Sequence, residues 1–161
     1  MKTGLQISAQ LENLEYVKPA GDDFRWYIKL TCSSCGEETS DFVYCSLDES
    51  SPLTGGRGQA SLVLKCKLCK RENSIDILKD SLTSYTQDDA GKFKTIVVFD
   101  CRGVTPSDFS PRVGWEARCS ESSTVFADVD LKENEWYEYD EKSTESVSIT
   151  ELSYKFVPVK H

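Results

Sequence analysis

Polar and apolar residues alternate with period two across residues 5–14, the pattern of a strand with one face in a core and the other toward water. Residues 26–30 carry the same signal and run straight into Cys32, and residues 42–47 follow. Residues 60–66 and 74–78 read as strands flanking a pair of cysteines. Residues 93–101, 115–119, 124–129 and 146–157 complete the set. No window of 11 or more residues shows a 3.6-residue apolar stripe. Helix is therefore expected only as one short turn within residues 130–139, where Glu and Lys favour it and Asp130 offers a cap. Residues 48–59, rich in Ser and Gly, read as a loop. Many short strands between turn signals predict an all-β sandwich or barrel.

The chain also echoes itself. Trp26 stands 89 residues before Trp115, and each follows a Pro-containing polar loop with an Asp and a Phe. Each Trp strand is preceded by an alternating strand (7–14; 95–104) and followed by another (42–47; 124–129). The expectation is a single domain, 1–161, with possible pseudo-symmetric halves at 1–90 and 91–161. Paired cysteines occur only in the first half.

At 161 residues the length is that of one domain, and 39% hydrophobic residues with three Trp, seven Tyr and seven Phe can supply a core. The formal charge of −8 argues against nucleic acid and anionic membrane as partners. No run of about 18–20 apolar residues is present, so no bilayer span is expected. Residues 1–6 lack the character of a signal peptide, so the expected setting is a reducing compartment, the cytoplasm, with the nucleus open. Seven cysteines there need an explanation other than disulfides.

Cys32-Ser33-Ser34-Cys35-Gly36 and Lys65-Cys66-Lys67-Leu68-Cys69-Lys70 supply it. A Cys-x-x-Cys turn aims two sulfurs at one point, and two such turns offer the four thiolates that tetrahedral Zn²⁺ takes. Both lie at strand ends, as in a zinc ribbon, and the 30-residue spacer between Cys35 and Cys66 has room for an inserted hairpin. A thioredoxin-like dithiol needs a helix after the pair, and ferredoxin-type clusters use other spacings. Four thiolates and one Zn²⁺ add −2, taking the formal charge from −8 to −10. Lys65, Lys67, Lys70 and Arg71 crowd the second pair, either offsetting that charge or solvating a surface turn. Cys45, Cys101 and Cys119 sit in strand patterns, where a thiol behaves as a small hydrophobe.

Other signals are weaker. Thr54-Gly55-Gly56-Arg57-Gly58 lacks the Lys-Ser/Thr ending and helix of a phosphate loop; it reads as a hairpin tip, with Arg57 a conceivable anchor for an anionic partner. The acidic stretch 130–145 reads as solvated, although Trp136-Tyr137-Glu138-Tyr139 within it supplies either core or a binding patch. The single His is His161, and no nucleophile–base or paired-carboxylate constellation assembles.

Phe24-Arg25-Trp26-Tyr27, Cys32-x-x-Cys35-Gly36-Glu37, Gly55-Gly56-Arg57-Gly58 and Lys65-Cys66-Lys67-Leu68-Cys69 occur in that order. Arg71-Glu72-Asn73-Ser74-Ile75, Phe93-Lys94-Thr95-Ile96-Val97, Cys101-Arg102-Gly103, Pro106-x-Asp108-Phe109 and Tyr139-Asp140-Glu141-Lys142 follow. Together they resemble the eukaryotic CXXC motif containing zinc binding protein family over about residues 5–157. The resemblance implies a β-rich single domain with two pseudo-symmetric halves and one zinc on Cys32, Cys35, Cys66 and Cys69. It implies no catalytic activity. The functional expectation is a non-enzymatic, monomeric adaptor with structural zinc and a protein partner. One rival is a protein that exchanges zinc, copper or thiol electrons with a partner; another is an enzyme with a pocket between the halves.

Overall fold

Alternation becomes strand along most of the chain in the computed structural model, which describes residues 1–54 and 58–160. The first half contributes β1 (Lys2–Glu12), β2 (Leu14–Pro19), β3 (Trp26–Cys32), β4 (Val43–Cys45), β5 (Ser51–Pro52), β6 (Gln59–Ala60), β7 (Leu62–Lys65), β8 (Glu72–Ile77) and β9 (Tyr85–Thr86). The second contributes β10 (Lys94–Arg102), β11 (Val104–Ser110), β12 (Trp115–Cys119), β13 (Val125–Val129), β14 (Trp136–Asp140) and β15 (Glu145–Pro158). Two single-turn 3₁₀ helices, Lys79–Ser81 and Gln87–Asp89, are the only helices among the described residues. None is long and apolar enough to cross a membrane.

The buried faces follow the period-two reading. Leu5, Ile7 and Ala9 of β1 are buried, as are Trp26, Ile28, Leu30 and Cys32 of β3. A six-stranded sheet in the order β14-β15-β1-β10-β8-β7 curls into a half-barrel. Two smaller sheets, β11-β3-β4 and β13-β12-β2-β9, carry the two long-range Trp strands, and β5 pairs with β6. The pairing runs across the chain's midpoint: β1 pairs with both β10 and β15, β2 with β12, and β3 with β11.

An aromatic cluster joins the layers. Trp26 and Trp115 are buried with ring centroids 6.1 Å apart at 84°, and Phe24 sets an edge against each, at 4.6 and 4.9 Å. Phe99 of the large sheet reaches Trp26 at 6.0 Å, and the Trp115 Nε1 donates to the Pro111 carbonyl at 2.9 Å.

Two local expectations are corrected. Residues 130–139 hold a single hydrogen-bonded turn and no helix: the Asp130 carboxylate accepts the Lys132 N–H at 2.9 Å, the Asn134 N–H donates to the Leu131 carbonyl at 2.9 Å, and Asn134 then turns left-handed at φ +64°. The chain then enters β14, where Trp136 pairs with Ile149 and packs on Phe126 at 5.3 Å. The Pro-containing loop before Trp115 is largely β11. Pro106 is accommodated because the register with β3 slips between Pro106 and Asp108, so the strand does without its N–H. The loop 48–59 is closed by the short β5–β6 ladder, and the tip residues Gly55, Gly56 and Arg57 lie outside the described residues, as does His161.

Candidate metal centre

Strand β3 ends at Cys32 and the chain reverses at once. The Cys32 N–H donates to the Glu37 carbonyl and the Gly36 N–H to the Cys32 carbonyl, both at 2.8 Å. Such a turn needs one left-handed residue, and Gly36 supplies it at φ +81°. The β7–β8 turn repeats the construction. There the Cys66 N–H donates to the Arg71 carbonyl and the Lys70 N–H to the Cys66 carbonyl, both at 2.9 Å, and Lys70 takes the left-handed position at φ +66°.

In each turn backbone N–H groups point at the first sulfur. Those of Cys35 and Ser34 hold the Cys32 thiol down, to about 6, against its burial; those of Cys69 and Leu68 lower Cys66 in the same way. Cys35 differs. The Glu37 N–H lowers it, but desolvation and the three neighbouring thiols prevail and push it up to about 12.

The four sulfurs meet at one point. All lie within 4.8 Å of one another, with Cys32 and Cys69 at 3.7 Å and Cys35 and Cys66 at 3.5 Å. Four sulfurs placed about 2.3 Å from a central Zn²⁺ stand about 3.8 Å apart, so the set fits a tetrahedral thiolate shell. A disulfide needs about 2.05 Å, and all seven cysteines are free. Among the described residues, no other group of three or more His, Cys, Asp and Glu side chains converges on one point in this way.

The chain matches the profile of the eukaryotic CXXC motif containing zinc binding protein over residues 4–157. It belongs to that family. Relatives called CXXC motif containing zinc binding protein in Rattus norvegicus and Homo sapiens are 52% and 50% identical over 156 residues, covering 97% of this chain and 98% of each relative. The crystal structure of C1orf123 is similar at a TM-score of 0.94 and 49% identity, covering 99% of this chain and 100% of that one. A hypothetical protein from Plasmodium falciparum shares the fold, with a TM-score of 0.89 at 22% identity over 98% of this chain and 99% of that one. A zinc-binding role therefore follows both from membership of the CXXC family and from the donor set.

The remaining cysteines stand apart from this centre. Burial pushes the Cys45 thiol up strongly and the Cys101 thiol up to about 11, so both stay protonated and apolar in character. Cys101→Ser is expected to leave zinc content unchanged and to cost about 1–3 kcal/mol, because a hydroxyl replaces a buried thiol. Metal analysis beside a thermal melt checks both halves of that statement. Lys65, Lys67, Lys70 and Arg71 are exposed, and the Lys70 Nζ donates to the Lys67 carbonyl at 2.9 Å, closing the turn on itself.

Two supporting residues were not singled out by sequence reasoning. Asn73 is buried on β8, and its amide either donates to the Cys32 sulfur at 3.6 Å or, turned over, to the Gly103 and Glu72 carbonyls at 3.2 Å each. Gly103, at φ +81°, offers its carbonyl to the Ser33 N–H at 2.9 Å, and a Cβ there would run into the Asn73 side-chain amide. Gly103→Ala is therefore expected to destabilise by about 1–3 kcal/mol and to loosen the first turn. Denaturant unfolding with a zinc-release assay reads both effects. The Cys-Arg-Gly run at 101–103 was the available signal, although Gly103's role depends on a neighbour 30 residues away.

Proposed function

We propose that the protein is a non-enzymatic adaptor in which Cys32, Cys35, Cys66 and Cys69 hold one structural Zn²⁺ per chain in a ribbon-like pair of turns. The observation that carries this reading is the closed set of four sulfurs. Four thiolates fill the tetrahedral shell and leave no position for a reacting water. An ion held there would tie the β3–β4 turn to the β7–β8 turn, 30 residues apart between Cys35 and Cys66, so its binding is coupled to folding. Support for contact with a protein comes from the groove beside the cysteines, about 400 Å³, with Leu30, Val43, Leu64 and Val104 along it and Glu37, Asp41 and Lys67 at its edge. The adaptor reading takes the chain as a cytoplasmic monomer, with the nucleus left open.

A second reading rests on one observation: Cys35 and Cys69 are exposed while Cys32 and Cys66 are buried. Two sulfurs in reach of solvent would suit exchange of metal or thiol electrons with a partner. Native mass spectrometry of protein purified without added metal, before and after mild peroxide, separates the two. The structural reading predicts one zinc per chain in both spectra. Copper, partial occupancy, or zinc lost as a disulfide forms overturns it and installs the exchange reading.

A further inference from the structure

The large sheet reads the same when its halves are exchanged. Replacing β1, β7 and β8 by β10, β14 and β15 turns the order β14-β15-β1-β10-β8-β7 into its own reverse. The same exchange carries β11-β3-β4 onto β2-β12-β13. Under it the β3–β4 turn falls on the β12–β13 turn, and the β7–β8 turn on the β14–β15 turn. Cys32-Ser33-Ser34-Cys35 then lies over Cys119-Ser120-Glu121-Ser122, and Cys66-Lys67-Leu68-Cys69 over Asp140-Glu141-Lys142-Ser143.

The backbone hydrogen bonds that enter the β12–β13 turn agree with that overlay. The Cys119 N–H donates to the Thr124 carbonyl at 3.0 Å, as Cys32 does to Glu37 five residues on. The Ser120 N–H donates at 3.0 Å to the carbonyl of Asn13, left-handed at φ +57° between β1 and β2. Its image is Ser33, donating to left-handed Gly103 between β10 and β11. Thr144 takes a left-handed φ of +55°, four residues after Asp140, as Lys70 does four residues after Cys66. The match loosens inside the turns: Ser123 lacks the positive φ of its image Gly36, and among the described residues the bonds from Gly36 back to Cys32 and from Lys70 back to Cys66 have no counterpart at Ser123 and Thr144.

What stands at the centre differs. Asp140 is 1% exposed, and its carboxylate accepts the hydroxyls of Ser122 and Ser143 at 2.6 Å each and of Thr124 at 2.9 Å, with the Lys142 N–H at 3.1 Å. The hydroxyls of Ser122 and Ser143 hold its carboxyl well below the usual range in spite of desolvation. The buried Cys119 thiol is pushed up by desolvation and by its hydrogen bond to the same carboxylate. All four positions that correspond to the zinc-centre cysteines thus converge again, on a carboxylate.

We propose that Cys119, Ser122, Asp140 and Ser143 form a metal-free counterpart of the four-cysteine centre, a latent metal site in which the Asp140 carboxylate clamps the two turns by hydrogen bonding. The geometry of a thiolate site persists there without its thiolates, so restoring sulfur restores the donor set. The test is the triple variant Ser122→Cys, Asp140→Cys, Ser143→Cys, with Cys119 left in place, compared with the unmodified chain by native mass spectrometry after zinc is supplied. The expected result is one zinc per chain more than the unmodified chain holds. Because the readout is the increment, it does not depend on how many ions the first centre binds. A folded triple variant with no additional zinc overturns the proposal.

Asp140→Asn keeps the question decidable if the triple variant does not fold. Hydrogen exchange is expected to lose protection at least tenfold in residues 119–124 and 140–145 while residues 32–37 and 66–71 are unaffected. Unchanged protection in those two turns rejects the clamp.

Discussion

Cys66→Ser is expected to empty the metal centre and to lower the melting midpoint by about 8–16 °C. A structural Zn²⁺ supplies about 10–16 kcal/mol of apparent binding energy in small zinc-dependent peptides. A chain of 161 residues has a core of its own, so only part of that energy bears on global stability. A third of it, about 4 kcal/mol, corresponds to that shift at about 2–4 °C per kcal/mol for a chain of this size. Cys66 is the sharpest choice because its sulfur is buried and lies 3.5 Å from Cys35. Removing it leaves three thiolates and unties the β7–β8 turn from β3–β4. Differential scanning calorimetry with metal analysis measures both quantities. A variant that is metal-free and melts with the parent shows that the ion has no structural role.

Trp26→Ala is expected to cost about 3–5 kcal/mol with zinc still bound to the folded chain. Trp26 is 1% exposed and touches aromatic rings of both smaller sheets and of the large one: Phe24, Phe109, Trp115 and Phe99. Its loss removes buried area and several edge-to-face pairs at once, and the close-packed surroundings cannot collapse fully into the space. Chemical denaturation gives the energy, and metal content of the folded fraction shows whether the centre stands apart from the core. A cost below about 1 kcal/mol contradicts the shared aromatic core, since it falls below the range for large-to-small core changes. The contrast with Cys66→Ser is informative, because that change removes zinc and stability together.

The strands of the buried faces are legible because burial imposes period two directly on the residues: Leu5, Ile7 and Ala9 announce β1, and Trp26, Ile28 and Leu30 announce β3. The four cysteines are legible for a related reason, since a Cys-x-x-Cys turn brings two sulfurs together locally and two such turns supply the four donors of a tetrahedral shell. β14 was hidden because most of its residues are exposed and acidic neighbours surround them, so no apolar alternation marks it. β11 was hidden by Pro106, whose missing N–H is accommodated by a register slip that no local pattern encodes. Strand partners are less legible still. That β1 lies between β10 and β15 depends on contacts more than 80 residues apart, and nothing in residues 2–12 names those partners. Gly103 and Asn73 follow the same rule, since their service to the first cysteine turn exists only after β8, β10 and β3 have come together. Asp140 was hidden among acidic neighbours: that it is the buried acid of the second half, bonded by hydroxyls, depends on Ser122 and Ser143 meeting it in the fold.

Zinc K-edge X-ray absorption of the purified protein reads whether four sulfurs of this chain close around one zinc ion. The expected result of closure by four thiolates is a single shell of four sulfur scatterers at about 2.3 Å with no oxygen or nitrogen neighbour. A mixed shell, or fewer than four sulfurs in a fully loaded sample, contradicts it and returns an open coordination position to the centre.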